Sequence, residues 1–310
     1  MKRKPLFNVA IVGAGNVGSV LGKLLLLGGQ RIVCIVSRTD RSARNAGKFI
    51  GCRLVSTSLA DIPSATNLVL IATPHNTIGA VAQSLAALRH LNYGRLAVCH
   101  TSGMLTADVL DPLRELGATV FSFHPLQTFP RDFPPRNIVG SVRGIYYGID
   151  GQEKGVKLAA KLAKVLRGRA INIPPDMREF YHAACVVASN HLTTLLWVLE
   201  RMYQKLGTSR EKFYRVFEPI IDATLRNVAS TSPANALSGP IARGGVETVS
   251  SHLISIKKHL PEIVPYYLRL TADTARLAKV KGSISDARYA ALVKLVESFS
   301  NEKSHAEEIC

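Results

Sequence analysis

Along the first half of the chain, short and nearly continuous apolar runs alternate with segments whose apolar positions recur at helical spacing. The runs at residues 8–12, 31–36, 67–72, 95–100 and 118–123 are rich in Val, Ile, Leu and Phe. Strands covered on both faces have this texture, because neither side of the pleat is left for water. Between them, residues 18–27, 42–50, 77–88 and 107–116 carry helical spacing. Alternation of strand and helix predicts right-handed crossovers and a doubly wound parallel sheet, an α/β arrangement of the Rossmann kind. Two more strands, at 145–149 and 170–173, with a helix at 155–166 between them, extend that sheet. Residues 128–136 hold three prolines and read as a loop.

The texture changes after Pro174-Pro175, which mark the expected domain boundary. Residues 176–206 form one long helical pattern without glycine or proline. Helices at 211–229, 246–259, 263–279 and 285–300 follow. The expected organisation is therefore a Rossmann domain over 1–174, an all-helical C-terminal domain over 175–300, and a polar, frayed tail over 301–310.

Composition narrows the class. The chain has 310 residues, 47% of them apolar and 20% charged, a globular balance that suits two domains. The apolar stretches at 9–12 and 24–27 are too short for a signal core or a membrane span, so no targeting or membrane segment is expected. Five cysteines without C-x-x-C spacing argue for a reducing, cytoplasmic setting and against a disulfide framework or a zinc site. The formal net charge of +17 favours anionic ligands, among them phosphorylated cofactors. That charge is dispersed, and no nucleic-acid motif accompanies it. Neither a Walker sequence nor a G-x-S-x-G elbow is present, and no metal site is expected.

The strongest motif is a strand that runs into Gly13-Ala14-Gly15-Asn16-Val17-Gly18 and then a helix. In such a G-x-G-x-x-G turn, the first glycine permits the tight bend. The second lets a pyrophosphate approach the backbone, and the third lets helix and strand pack closely. The helix N-terminus adds unpaired N–H groups, which suit phosphate. At the end of the next strand, NAD-binding proteins usually place a carboxylate on the ribose hydroxyls. Here Ser37-Arg38-Thr39-Asp40-Arg41 stands instead. Arg38, with donors from Ser37, Thr39 and Arg41, suits a 2′-phosphate, so the expected cofactor is NADP(H). Asp40 is the complication, since it can serve as a displaced ribose ligand. Ala72-Thr73-Pro74 ends a strand at the edge of the ligand crevice, and His75 after it reads as a helix-start residue.

Further motifs occur in order: His-Thr-Ser-Gly at 100–103, Phe-His-Pro-Leu-Gln-Thr-Phe at 123–129, Tyr-His-Ala-Ala at 181–184, Ser-Asn-His at 189–191 and Leu-Ser-Gly-Pro-Ile-Ala-Arg-Gly at 237–244. Together with the glycine turn they resemble a family of Rossmann-like proteins with a helical C-terminal domain of unknown function. That family is related to pyrroline-5-carboxylate reductases, deazaflavin-dependent NADP reductases and ketopantoate reductases. The resemblance implies NADPH-dependent reduction of a C=O or C=N bond, and a homodimer built through the helical domains. Related hydroxyacid-type dehydrogenases carry a lysine and an asparagine one turn apart on the first long helix of the second domain. This chain has no matching lysine there, and Gly245 stands where the resemblance implies an acidic residue.

Without that lysine, the candidate proton donors are histidines. His182 is placed on a helix facing the cleft, with Ser189 and Asn190 seven and eight positions on and so on the same face. The alternative is an ordinary histidine at a domain junction. His124 and His100 stand at strand ends where ligand-contacting residues belong. Ser102 and Gly103 can present N–H groups to the nicotinamide carboxamide or the substrate; the alternative for His100 and Ser102 is strand-end capping. The expected catalytic set is His182, Asn190 and His124. Ser189, Ser238 and Arg243 are expected to bind a small carboxylated substrate. A non-catalytic NADP(H)-binding sensor or regulatory subunit is the alternative to a reductase.

Overall fold

A computed structural model describes residues 5–307, and the chain divides into two compact units, Met1–His191 and Leu192–Cys310. The first unit contains one eight-stranded sheet, β1 (Asn8–Val12), β2 (Arg31–Val36), β3 (Val55–Ser56), β4 (Leu68–Ile71), β5 (Ala97–His100), β6 (Thr119–Pro125), β7 (Tyr146–Gly151) and β8 (Arg169–Asn172). The order across the sheet is β3-β2-β1-β4-β5-β6-β7-β8. Helices α1 (Asn16–Leu27), α2 (Asp40–Ile50), α3 (Ile78–Ala86), α4 (Asp111–Arg114), α5 (Pro135–Ile138) and α6 (Glu153–Val165) connect the strands.

Two apolar clusters explain the unbroken hydrophobicity of the strands. Val9, Ile11, Leu68, Leu70, Phe121 and Phe123 point to one face and pack with α1 and α6. Their neighbours Ala10, Val12, Val69, Ile71, Val98 and Val120 point to the other and pack with α3 and α4. Successive side chains alternate across a strand, so a sheet covered twice needs apolar residues at every position.

The sheet is mostly parallel, with one departure from expectation: β7 pairs antiparallel with β6. The reason lies in the connection. Residues 126–145 hold only the four-residue α5, so no crossover helix carries the chain back to the other end of the sheet. A chain that turns without a crossover returns antiparallel. The two-residue β3 is too short to leave a periodic signal, and none was expected there. The segment expected as one helix over 107–116 is a 3-10 turn, Ala107–Leu110, followed by the short α4.

The segment 176–206 is not one continuous α-helix. It consists of α7 (Arg178–Val186), a π turn (Val187–His191) and α8 (Leu192–Gln204). Ser189 and Asn190 stand in that turn, and short polar side chains compete for backbone groups. A π turn accommodates an extra residue, so a face counted at α spacing is offset there by about 100°. The sharing of one face by His182, Ser189 and Asn190 does not carry through it. The units divide after His191 and not at Pro174-Pro175, because α7 is tied to the sheet.

The second unit is helical, with α8, α9 (Phe213–Ser230), α10 (Pro233–Ala236), α11 (Val246–His259), α12 (Val264–Lys281) and α13 (Asp286–Glu307). Its core is formed by Val249, Leu253, Ile256, Leu268, Ala275 and Leu292, with Val198 from α8. Residues 301–307, expected as part of a frayed tail, continue α13, and 308–310 lie outside the described residues.

Candidate functional site

At the carboxyl ends of β1, β2, β4 and β5 lies a cleft of about 860 Å³. Its three motif glycines do different work. Gly13 has φ +109°, donates its N–H to Val36 O (2.8 Å), and leaves only 2.6 Å between a Cβ and the Ala72 backbone. A Cβ on Gly18 would stand 2.0 Å from Gly13 O, so α1 packs on the turn only because this residue has none. Gly18 does not line the cleft. A Cβ on Gly15 would meet no protein atom within 4 Å. Gly15 also caps α1 without a side-chain hydrogen bond, so the first N–H groups of α1 face the cleft unsatisfied by any cap.

Gly13, Ala14, Gly15, Asn16 and Val17 line this cleft, as do Ser37, Arg38, Thr39, Ala72, Thr73, Pro74 and Ser102. Their commitments differ. The Asn16 amide donates to Pro130 O (2.5 Å) and Phe133 O (3.0 Å), which ties the proline-rich loop to the glycine turn. That loop brings Phe129 and Arg131 to the cleft wall, neither of which was expected at the cofactor site. Phe129 closes the 123–129 motif, whereas Arg131 lies beyond it in the proline-rich loop and carries no motif signal. Thr39 caps α2, accepting from Ser42 N (3.3 Å) and donating to Ser42 Oγ (2.9 Å). Arg41 is exposed and does not line the cleft. Asp40 pairs with Arg44 at 2.6 Å, one turn along α2, and does not line the cleft either. Thr73 Oγ1 is buried in the wall with no hydrogen-bond partner.

Beyond Ser102 the cleft meets a second cluster of polar side chains, all from the first unit. His100 is fully buried, and both of its ring nitrogens serve its own loop. Nε2 bonds Thr106 O (2.9 Å), and Nδ1 accepts the Ser102 N–H (3.2 Å). Ser102 N–H is therefore committed to His100 and is not presented to a ligand. Ser102 Oγ accepts from Met104 N and Leu105 N, which closes the turn. Burial, above all, lowers the His100 pKa to about 4, so its imidazole is neutral near pH 7.

Beneath this loop lies a buried ion pair. Asp150 on β7 accepts from Ala107 N (2.6 Å) and Ser122 Oγ (2.6 Å). Arg178, 1% exposed at the start of α7, approaches Asp150 Oδ2 at 3.1 Å and donates through Nη2 to Ser102 O (3.1 Å). Asp150 through Ala107 N and Arg178 through Ser102 O each hold the loop 101–107, while Ser122 Oγ ties Asp150 to β6. Nothing in the sequence marks this group, because Asp150 and Arg178 are neither periodic nor part of a motif.

Two further histidines stack over Gly103. A Cβ there would lie 2.7 Å from His182 Cδ2 and 2.9 Å from His124 Nε2, so the close approach requires glycine. The His124 and His182 rings are 6.4 Å apart between centroids. His124 Nδ1 shares a 2.8 Å hydrogen bond with the Tyr181 hydroxyl. Burial lowers the His124 pKa to about 4, helped by the nearby Arg178 charge. Tyr181 is pushed the other way, burial raising its phenol above the ordinary range. Asn190 is exposed and Ser189 half-buried, both in the π turn. Ser238 and Arg243 belong to the second unit. Both are exposed and follow α10, at whose end the Asn235 and Leu237 carbonyls accept from Lys281 Nζ.

The protein thus pairs a doubly wound dinucleotide-type crevice with a helical unit. Residues 1–125 match the profile of a Rossmann-like domain, and residues 145–274 match that of a domain of unknown function (DUF2520). The chain joins these two domains, as the motifs led us to expect. No curated protein matches the sequence. Among solved structures, a candidate NADP oxidoreductase from Bacteroides fragilis is 22% identical, with a TM-score of 0.69, covering 87% of this chain and 98% of that one. A pyrroline-5-carboxylate reductase from Coxiella burnetii is 15% identical with a TM-score of 0.57, covering 89% and 98%. A Plasmodium falciparum pyrroline carboxylate reductase with NADP bound is 14% identical with a TM-score of 0.55, covering 90% and 100%. At these identities the likeness is one of fold.

Proposed function

We propose that the chain is an NADP(H)-dependent oxidoreductase that reduces a C=O or C=N bond of a small, carboxylated metabolite. The observation that carries the reading is the end of β2. Ser37 and Arg38 line the cleft there, while the nearby carboxylate, Asp40, pairs with Arg44. A cationic, carboxylate-free strand end suits a 2′-phosphate and not a bare ribose diol. The open side of Gly15, the uncapped start of α1 and the orphaned Thr73 hydroxyl fit the rest of a dinucleotide. Arg131, held in place through Asn16, adds a cation beside the glycine turn.

The bound dinucleotide supplies the hydride, and the chain has to supply the proton and the orientation. His124 and His182 stand over Gly103, next in sequence to the cleft-lining Ser102, which makes them the candidates for holding that proton. Asn190 and Ser189 in the π turn are the proposed substrate contacts of the first unit; Ser238 and Arg243 are each proposed to bind substrate as well. Arg243 suits a carboxylate. The chain is proposed to act as a homodimer formed through its helical unit.

Fluorescence titration tests the cofactor reading. NADPH is expected to bind at least tenfold tighter than NADH, and Arg38→Ala to erase that preference. Gly15→Ala is expected to weaken NADPH at least tenfold, about 1.4 kcal/mol, without changing stability, since its methyl meets no protein atom. Equal affinity for NADH would sink the NADP assignment. A panel of 2-keto acids and cyclic imines, followed by loss of reduced-nicotinamide absorbance, tests turnover. NADPH binding without turnover on any of them would favour a sensor.

A further inference from the structure

We propose that Tyr181 is a positioning residue that holds His124 in the tautomer with its proton on Nε2, making that nitrogen the proton donor of the site. The inference rests on the oxidoreductase reading given above.

The hydrogen bond between Tyr181 and His124 Nδ1 is 2.8 Å long, and its direction follows from chemistry. A phenol is a strong donor and a weak acceptor, whereas the unprotonated nitrogen of a neutral imidazole is a strong acceptor. Both groups are held neutral. Burial and the Arg178 guanidinium disfavour a cation on His124, and His182 and His100 act in the same sense. Burial likewise keeps the proton on Tyr181, with Cys185 one turn along α7 adding to it. With the Tyr181 proton directed at Nδ1, the ring's own proton belongs on Nε2. The partner of one imidazole nitrogen sets the state of the other.

The hydroxyl also meets Cys185 one turn along α7, but a thiol sulfur is a weaker acceptor than an imidazole nitrogen, so the Tyr181 proton goes to Nδ1. Tyr181 reaches His124 across Gly148 of β7, where a Cβ would come within 2.4 Å of the hydroxyl. The Arg178 guanidinium sits 5.5 Å from the Tyr181 ring centroid and is itself fixed by Asp150 and Ser102. Nε2 lies over Gly103, 2.9 Å from where a Cβ would stand, and Gly103 is next in sequence to the cleft-lining Ser102. A neutral imidazole that presents N–H can polarise a developing oxyanion and then release that proton to it. In that step the Nε2–H bond breaks, its electron pair stays on the ring as an imidazolate that the Tyr181 hydrogen bond at Nδ1 stabilises, and an O–H bond forms on the substrate.

The test needs no substrate. The full chain, labelled with ¹⁵N-histidine, is followed by long-range proton–nitrogen correlation spectra, and His124→Gln identifies the His124 signals among the nine histidines. The wild type is expected to show one fixed tautomer, protonated at Nε2, unchanged from pH 8 down to about 5. Tyr181→Phe removes a single hydroxyl and is expected to lose that pattern, giving signals averaged over both tautomers. Gly148→Ala, which displaces the hydroxyl while keeping the tyrosine, is expected to do the same. A wild-type ring protonated at Nδ1, or a Tyr181→Phe spectrum identical to wild type, would overturn the inference. NADPH titration of the same samples separates it from the broader reading. Wild type and Tyr181→Phe are expected to bind equally. Failure of the wild type to bind overturns the oxidoreductase reading and with it the donor role of Nε2.

Discussion

All four residues of β4 in the first unit are buried, whereas α9 in the second, 18 residues long, buries none. The contrast follows from how each element is covered. A strand in the middle of a doubly wound sheet has helices on both faces and needs nothing else. The helix α9 lays Phe213, Phe217 and Ile221 partly inward and still shows Val216, Ile220 and Leu225 to solvent. A helix apolar on more than one side expects further cover. The first unit thus completes its own core and holds the crevice, His100, His124, His182 and the ion pair, so the cofactor and proton-donor proposals rest on it. Proposals about assembly rest on the second.

The largest expected effect is a direct attack on that self-sufficiency. Arg178→Met leaves Asp150 buried beside Ser122 and Ala107 without its countercharge. Removing one partner of a buried pair costs about 3–5 kcal/mol. Urea unfolding of the first unit's transition is expected to register a loss of this size. Adding Asp150→Asn is expected to return part of it, since the orphaned charge is then gone. A single variant within about 0.5 kcal/mol of wild type, the range of ordinary surface changes, would mean that the pair does not hold the loop 101–107.

What the sequence made legible follows the same division. Strands covered on both faces announce themselves by unbroken apolarity, and the glycine turn carries its mechanics in its spacing. The unit boundary was less legible. Pro174-Pro175 interrupts the pattern, yet α7 belongs with the sheet through Arg178, a contact between residues 28 positions apart (150 and 178) and outside any motif. The π turn at Val187–His191 was hidden because hydrophobic spacing does not register one extra residue in a turn. The antiparallel β7 reflects a crossover helix that is missing, and a missing element leaves only a proline-rich loop to read. Tyr181 was visible as part of a motif. Its reach to His124 depends on Gly148, which no local pattern picks out.

An intermediate effect tests how dry the loop beneath the crevice is. Unfolded His100 titrates at its ordinary 6.5, and folded His100 at about 4. Between those values the unfolded chain binds more protons. The stability contributed by keeping His100 neutral is therefore complete above about pH 6.5 and is lost as the pH falls through about 4. At its limit this is ~3 kcal/mol. Wild type is expected to lose stability over that window. His100→Asn is expected to be less stable at pH 7.5, for want of the bonds to Thr106 O and Ser102 N, with the gap closing toward pH 4. Parallel stability curves for the two proteins would show that His100 is not kept neutral by burial.

The smallest change in folding stability is expected where the second unit shows its apolar face. Ile220, 65% exposed on α9, and Leu27, 59% exposed at the end of α1, are equally accessible, but their surroundings differ. Leu27 is the last residue of a helix whose apolar residues otherwise face the core, and isolated apolar residues on a surface are ordinary. Ile220 belongs to a stripe with Val216, one turn away, on a helix that buries nothing. Lysine at either position is expected to change folding stability by no more than about 0.5 kcal/mol. Only Ile220→Lys is expected to alter assembly, shifting a sedimenting dimer toward monomer, because a charge in a self-complementary face is repeated in both copies. If the wild type sediments as a monomer at micromolar concentration, or if Leu27→Lys dissociates the dimer as readily, the homodimer reading of this face fails.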